Sequence, residues 1–459
     1  MSTESRIHFS GGAGEVTGSN FLFEGNFGKI LIDCGLVQGG KFAEKENRAS
    51  FPYDPKTIDI LFVTHAHLDH IGRIPKLVRE GFRGRIFSTP ATKALAEVML
   101  PDALSILLGE ARREKEEPLY TGEDIERALS LWEELPYHEE KNLSEGVSVH
   151  LRNAGHILGS AMVIFTRKDG NKEKKIAFSG DLGNSPSLLL PDTESVSDVD
   201  YLLMESVYGD KNHESKEERN EHFKEAILKV ISRGGTLLIP AFSLERTQNI
   251  LYLLNNLVEE KEVPKIPVFV DSPLATKVTE IYSRFIGDFN ESIRKEIREG
   301  DDIFKFPRLS FTVSRFESED ILHHAGAKII LAGSGMSEGG RVRKHEKILL
   351  PDPKNLLLLV GYQPIGTLGR RFEEREKKVF IDGVEVAVKA EVEAIKGFSS
   401  HKDSDHLLAF VGESVEKVKK VFVCMGEPKS SLFLSQRIRD EYDIDASVPE
   451  AGSTVVINF

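Results

Sequence analysis

The segment VTHAHLDHIG, Val63–Gly72, constrains this chain more than any other stretch. Three histidines and an aspartate crowd together directly after Asp59–Thr64, a compact apolar run suited to a buried strand. In extended backbone, residues i, i+2 and i+4 point the same way. His65, His67 and Asp69 therefore share one side, and His70 joins them at the turn into a helix expected over Arg73–Glu80. Imidazole and carboxylate are the ligands that zinc and similar metals take. Whatever the fold, it has to present the end of this strand as a ligand platform.

The flanking sequence describes two kinds of sheet. Arg6–Ser10, Ser19–Glu24 and Lys29–Asp33 are short strands split by Gly11-Gly12 and Gly25-Asn26, as in an antiparallel meander. The stretch Thr92–Glu134 is rich in Leu, Ala, Glu and Arg and reads as helical, with breaks expected at Pro101 and Pro118. Strands are expected at Val147–Asn153, Ala161–Thr166, Lys175–Ser179 and Tyr201–Glu205. Strands then alternate with helices: helix Glu214–Ser232, strand Thr236–Pro240, helix Arg246–Glu259, strand Val268–Asp271, helix Ala275–Ile286, strand Lys328–Ala332, helix Arg341–Leu350 and strand Asn355–Val360. Such alternation implies a parallel sheet covered on both faces. From about Lys378 the pattern returns to strands and one helix, ending in Thr454–Asn458. A first domain interrupted by a second is the simplest organisation.

Composition narrows the class. The 459 residues are 40% apolar and 29% charged, which suits a soluble chain with a real core. No apolar run approaches the ~20 residues that span a bilayer. The amino terminus, MSTESRIHFSGG, shows no signal or transit pattern, and two cysteines, Cys34 and Cys424, give no disulfide framework, so a cytoplasmic location is expected. The formal net charge of −13 argues mildly against a nucleic-acid binder, unless cations or a local basic groove reverse it.

Further candidate ligands stand where strands end in glycine turns: Asp33 in LIDCG, His156 in NAGHILGSA and Asp181 in FSGDLG. Taken in order with His65, His67, Asp69 and His70, they resemble the first four motifs of the metallo-β-lactamase superfamily. The segments MESVYG (Glu205), PAFSLERTQN, DSPLA, GSGMSEGGR, GYQPIGTLGR, GFSSHKD (His401) and VFVCMGEPKSS (Met425) extend the resemblance to the β-CASP nucleases. The likeness is nearest to the endonuclease subunit of the cleavage and polyadenylation specificity factor and its bacterial and archaeal relatives. RNase J fits less well, for want of length for an extra carboxy-terminal domain.

The resemblance implies a metallo-β-lactamase αββα sandwich, residues 1–207 and 377–459, interrupted by a β-CASP α/β domain with a mainly parallel sheet, residues 208–376. It implies two Zn²⁺ ions, with Mn²⁺ as an alternative. The first would take His65, His67, His156 and Asp181; the second would take Asp69, His70 and the bridging Asp181, with Asp33 orienting a ligand from behind. A water bridging two such ions, deprotonated near neutral pH, would attack phosphorus, with Asp69 and Asp181 in the catalytic set. Glu205 matches motif A and His401 motif B, a pair able to protonate the leaving alkoxide. Motif C departs from the pattern, because Met425 stands where RNA-cleaving members carry a histidine. A thioether suits Zn²⁺ poorly, so the second ion should bind more weakly.

The implied activity is metal-dependent hydrolysis of RNA, in processing or decay, on a single-stranded substrate. Candidate contacts to the chain are Arg246, Ser334, Arg341 and Ser400, with Arg343, Lys344, His345 and the Arg370-Arg371 pair as further cations. No aromatic stacking platform of the RRM type is visible. Three alternatives compete: a DNA nuclease of the same family, a small-ester or lactam hydrolase, and an inactive RNA-binding subunit. Glu205 favours the RNA branch over the DNA branch, the long insertion disfavours a small-molecule hydrolase, and intact early motifs disfavour an inactive subunit. No membrane association is expected, and a homo-oligomer is compatible with the sequence.

Overall fold

The computed structural model describes residues 4–39, 42–364 and 366–459, so the first three residues of the amino-terminal stretch and Ile365 of GYQPIGTLGR lie outside it. The chain forms two compact units, residues 1–212 with 401–459 and residues 213–400.

In the first unit, strands β1 (Glu4–Gly11), β2 (Asn20–Gly25) and β3 (Gly28–Ile32) form the antiparallel meander, and β4 (Ile60–Phe62), β5 (Arg85–Ser88) and β6 (Trp132–Glu134) add in parallel. Strands β7 (Lys141–Ser144), β8 (Val147–Asn153), β9 (Ala161–Asp169), β10 (Lys172–Phe178) and β11 (Tyr201–Met204) begin a second sheet. The second unit contributes β12 (Thr236–Pro240), β13 (Val268–Asp271), β14 (Leu309–Phe311), β15 (Lys328–Ala332), β16 (Leu356–Leu359), the hairpin β17 (Lys378–Ile381) and β18 (Val384–Ala387), and β19 (Glu391–Ala394). On returning, the chain completes the first unit. Strands β20 (Lys420–Val423) and β21 (Asp445–Ser447) extend the second sheet, and β22 (Thr454–Asn458) pairs with β1.

The two seven-stranded sheets of the first unit pack face to face. Phe9, Phe21, Phe23 and Phe62 of one meet Val149, Val163, Phe165, Phe178 and Phe422 of the other in a single apolar cluster. Alternation along β1 produces this, since Ile7 and Phe9 face inward while His8 and Ser10 do not. Strand β9 is buried throughout Ala161–Arg167, because its other face is covered too. There Met162 and Ile164 pack with Leu407, Phe410, Leu434 and Ile438 of helices Ser404–Gly412 and Pro428–Tyr442. Two helices thus occupy the carboxy-terminal region where one was expected. With helices Pro90–Glu114 and Gly122–Ser130 on the first sheet's side, burying Leu95, Leu100, Ile125 and Ala128, the unit is an αββα sandwich.

Two local expectations are corrected. Pro101 sits inside the single helix Pro90–Glu114 and does not end it. Proline removes one hydrogen bond, and the burial of Met99, Leu100 and Ala103 around it offsets that loss. Trp132–Glu134, taken as the end of the helical stretch, is strand β6, pinned by Trp132 Nε1 donating to Ser88 Oγ on β5 at 2.9 Å.

The second unit holds a six-stranded sheet, ordered β14-β13-β15-β12-β16-β19, with every pair parallel. It extends beyond the expected boundary at residue 376. Hairpin β17–β18 buries Val379, Ile381 and Val386 with Leu357 and Leu359, and β19 pairs with β16, so residues 377–400 belong here by packing and hydrogen bonding.

Glu346 of helix Val342–Leu349 is buried, with Ser337 Oγ donating to Oε1 and no hydrogen-bond partner for Oε2 among the described residues. Burial pushes its carboxyl up to about 8 from 4.5. A carboxyl raised on folding stabilises the fold when protonated, so its contribution is lost as pH rises from about 4.5 to 8. Glu346→Gln is expected to be the more stable protein at pH 8, by a few kcal/mol at most, and close to wild type at pH 4.5. Thermal denaturation of both proteins across that range checks this. Parallel pH profiles would contradict it.

Candidate metal centre

Strand β4 delivers its end into Val63–His67, and His67 is the extended residue that precedes the short helix Leu68–Ile71 (φ −68°, ψ 148°). Extended backbone puts His65 and His67 together, with His65 Nε2 3.1 Å from His67 Nδ1. The turn that carries Asp69 and His70 is held by the end of the β1–β2 loop and by the loop after β3. Ser19 N donates to the Asp69 carbonyl at 2.9 Å, and Cys34 N donates to that of His70 at 2.8 Å. The backbones approach so closely that a Cβ on Gly35 would lie 1.5 Å from the Asp69 carbonyl oxygen, which explains a glycine there.

The remaining residues come from the second sheet. His156 follows β8, its N–H donating to Ser160 Oγ at 2.9 Å. Asp181 follows β10 through Gly180, whose φ is +55° and where a Cβ would lie 2.6 Å from Thr64 Cβ, so a side chain is excluded. Asp181 lies at the centre. Its Oδ2 is 3.4 Å from His65 Nε2 and 3.6 Å from His156 Nε2, while Oδ1 is 3.4 Å from His70 Nε2. His156 Nε2 is 3.3 Å from His67 Nδ1, and donor atoms of His65, His67, His156 and Asp181 all lie within 4.8 Å of one another. Asp69 Oδ2 is 3.9 Å from His70 Nε2.

Asp33 is buried with φ +60° and accepts from His70 Nδ1 at 2.7 Å, from Thr64 N at 2.8 Å, and from the Thr64 and Ser19 hydroxyls at 2.9 and 3.1 Å. This bond engages Nδ1 and turns Nε2 toward Asp69 and Asp181, where it is buried with no hydrogen-bond partner among the described residues. Burial would lower this imidazole, but Asp181 and Asp33 prevail and push it well above the ordinary histidine range. Thr64 and Ser19 escaped the sequence reading. Thr64, which touches both Asp33 and the Nδ1 of His65 (3.1 Å), could have been found from its place directly before the first histidine.

Electrostatics suit a cation. Burial, reinforced by neighbouring imidazoles, holds His67 and His156 well below the ordinary histidine range, hence neutral as ligation requires. For Asp181, burial is overcome by His70 and His65, and its carboxyl stays well below the usual carboxylate range. Facing imidazole nitrogens around a carboxylate, with the His70 Nε2 orphaned, are donors that a divalent metal satisfies together. The residues fit the group.

Beside this set lies the pair Glu205–His401. Glu205, at the end of β11, is buried and accepts from Leu182 N at 2.6 Å, and both its oxygens lie near His401 Nδ1, at 3.1 and 3.2 Å. Burial alone would lower the His401 imidazole, but the Glu205 carboxylate prevails and holds it up to about 9. His401 is therefore protonated at neutral pH. Its ring also lies on His156, centroids 4.6 Å apart.

Met425 is buried in the apolar cluster of the first unit with φ +46°, its N–H donating to the Gly12 carbonyl at 2.6 Å. The other candidates lie in the second unit. The Arg246 guanidinium donates to the Val360 carbonyl. Arg341 donates to Asp271 at 2.6 Å and to the Thr312 and Val313 carbonyls. Ser334 Oγ accepts from Gly339 N at 3.3 Å, and Ser400 is half-buried at the unit's end. The expected cationic patch is neutralised from within. His345 pairs with Asp271, Arg343 with Asp382, Lys344 with Glu319, Arg370 with Glu374 and Arg371 with Glu376.

Family comparisons agree with this architecture. Residues 13–83 match the metallo-beta-lactamase superfamily, 247–372 the Beta-Casp domain, and 385–449 the Zn-dependent metallo-hydrolase RNA specificity domain. Over 433 residues the chain is 39% identical to Ribonuclease TTHA0252 of Thermus thermophilus, covering 94% of this chain and 95% of that protein. The chain belongs to the metallo-β-lactamase superfamily, in its β-CASP branch. Among other β-CASP relatives, an RNase J-like protein of Methanocaldococcus jannaschii is 31% identical, with 98% of this chain and 99% of that protein covered. Cleavage and polyadenylation specificity factor 73 of Drosophila melanogaster is 31% identical over 95% of this chain and 62% of its own. A crystal structure of a protein of unknown function from Enterococcus faecalis V583 shares the fold, with TM-score 0.57, 13% identity, and 99% and 100% of the two chains covered.

Proposed function

We propose that this chain is a metal-dependent ribonuclease that hydrolyses phosphodiester bonds of single-stranded RNA with two zinc ions. The carrying observation is the convergence of His65, His67, His156 and Asp181 beside His401, whose Nδ1 is held by Glu205. The names and matched domains of its relatives favour RNA over DNA. His65, His67, His156 and Asp181 would hold one ion, and Asp69, His70 and Asp181 the other. Bound there, the ions would supply Lewis acidity, acidifying water and offsetting charge on the phosphate.

The protein's own groups do the rest. Asp33 accepts from His70 Nδ1 and so orients the ring with Nε2 toward Asp69 and Asp181, where a bound ion would take the place of the Nε2 proton. Glu205 engages His401 Nδ1 and keeps the ring charged, leaving Nε2 as the atom that hands a proton to the departing alkoxide. No helix among the described residues is long and apolar enough to cross a membrane. Two buried free cysteines suit a reducing cytoplasm.

A 5′-labelled RNA incubated with Zn²⁺ or Mn²⁺, beside DNA of the same sequence, tests this reading. RNA should be cut, DNA should be cut far less, and chelation should abolish cleavage. Product lengths then separate internal from terminal cutting. Intact RNA, or equal cutting of DNA, would overturn the reading, the latter in favour of a DNA nuclease.

The second ion should be held more weakly, because Met425 offers only a buried thioether where a nitrogen ligand would serve. Met425→His is expected to raise metal content toward two per chain, while lowering thermal stability because it exchanges a buried apolar side chain of the first unit's core for a polar one. Elemental analysis after mild dialysis checks this, and equal content in both proteins would contradict it.

A further inference from the structure

In an open parallel sheet, ligands bind outside the carboxyl ends of the strands, where outgoing connections part to opposite sides. The sheet of the second unit has this property along its middle. Strands β12 and β13 pass the chain toward the β14 edge, whereas β15 and β16 pass it toward the β19 edge. The four alternate in the order β13-β15-β12-β16, so the direction reverses between every neighbouring pair. Because all are parallel, their following segments gather at one end: Phe242-Ser243 after β12, Ser272 after β13, Gly333-Ser334-Gly335 after β15 and Gly361-Tyr362 after β16.

Phe242 is 38% exposed there, and Tyr362 is 43% exposed. The Phe242 ring rests on the neighbouring loops. A Cβ on Gly335 would lie 2.8 Å from it and one on Gly361 3.9 Å, so the ring occupies its place because Gly335 has no side chain. Ser243 Oγ and Ser272 Oγ stand 3.1 Å apart, next to Gly333. Asp271, the carboxylate at this end of β13, is fully buried and neutralised by Arg341 and His345, so it does not repel an anion. An exposed aromatic face beside hydroxyls and glycine backbone matches a nucleotide: base on the ring, sugar and phosphate oxygens on the donors.

We infer that this crevice is a nucleotide subsite in which Phe242 stacks on a base of single-stranded RNA and the Ser243 and Ser334 hydroxyls contact its sugar-phosphate. The inference rests on RNA being the substrate and adds where the chain is gripped, by stacking rather than by a row of free cations.

The test uses the full chain in EDTA, to prevent cleavage, and a 20-nucleotide RNA carrying 2-aminopurine, whose emission is quenched by stacking. Wild type should bind and quench. Phe242→Ala should weaken binding by about ten- to a hundredfold and abolish the quench. Phe242→Leu, which keeps apolar volume without a π-face, should lose nearly as much, whereas Phe242→Tyr should stay within about twofold. Gly335→Ala, which displaces the ring without removing it, should fall between. Circular dichroism confirms folding of each variant. If the leucine variant binds and quenches as wild type does, or if wild type gives no quench with the probe at any position, the subsite is overturned. If wild type cuts RNA with Zn²⁺ but Phe242→Ala binds it equally well, the subsite falls and the ribonuclease reading stands. Stacking by a wild type that never cuts RNA gives the reverse.

Discussion

Asp181→Asn is expected to lower RNA cleavage by about a thousandfold or more. One carboxylate faces two sets of donors here, with Oδ2 turned to His65 and His156 and Oδ1 to His70. Asparagine keeps the shape but loses the charge and one oxygen acceptor. Metal ions contribute several kcal/mol to such a reaction, and each 1.36 kcal/mol is tenfold in rate. Loss of the shared ligand should impair both ions, so metal content should fall alongside activity. Single-turnover cleavage of labelled RNA, elemental analysis and circular dichroism on the same preparation check this. A folded variant that retains its metal and cuts within tenfold of wild type would remove Asp181 from the centre of the site.

His401→Ala should cost a smaller, more selective loss, about 10²- to 10⁴-fold on RNA, the range of a positioned general acid. Selectivity is the sharper criterion. A p-nitrophenyl phosphodiester releases a phenolate that departs without a proton, so His401→Ala should cut that substrate nearly as well as wild type does. Glu205→Gln should fall in the same direction, because the carboxylate that holds His401 up to about 9 is gone and burial is left to lower it. Equal losses on both substrates would instead mark His401 as a positioning or ligating residue. It lies close enough to Asp181 Oδ2, at 4.0 Å, for that outcome to be meaningful.

The site was legible in the sequence where its ligands are neighbours along the chain. His65, His67, Asp69 and His70 advertise themselves because a strand end followed by a helical turn converts spacing directly into direction. Asp33, His156 and Asp181 each look like an ordinary turn residue, and only their order beside the cluster made them candidates. Ser19 carried no signal of its own, since hydroxyl residues are common and its acceptor, Asp33, is remote in sequence, and Thr64 had only its place directly before His65. The expected cationic groove shows the converse failure. Arginines and lysines can be counted in a sequence, but Asp382, Glu319, Glu374 and Glu376, which meet them, cannot be assigned as partners without coordinates.

Strand and helix assignments followed the same division. Val147–Asn153, Thr236–Pro240, Val268–Asp271, Lys328–Ala332 and helix Arg246–Glu259 were bounded by periodicity and turn residues, which are local quantities. Pro101 inside a helix, Trp132–Glu134 as a strand and the inclusion of residues 377–400 in the second unit were decided by packing partners far away in the chain. By itself the sequence determined which side chains can ligate, which segments alternate, and that two sheets of different kind share one chain, because these follow from residue type and period. Tertiary structure alone decided that Asp33 holds His70 Nδ1 and turns Nε2 toward Asp181, that His401 is charged by Glu205, that Met425 is buried in the core, and that Phe242 stands exposed at a crevice. Each depends on which distant atoms come within a few ångströms, and burial and charge act only at that range.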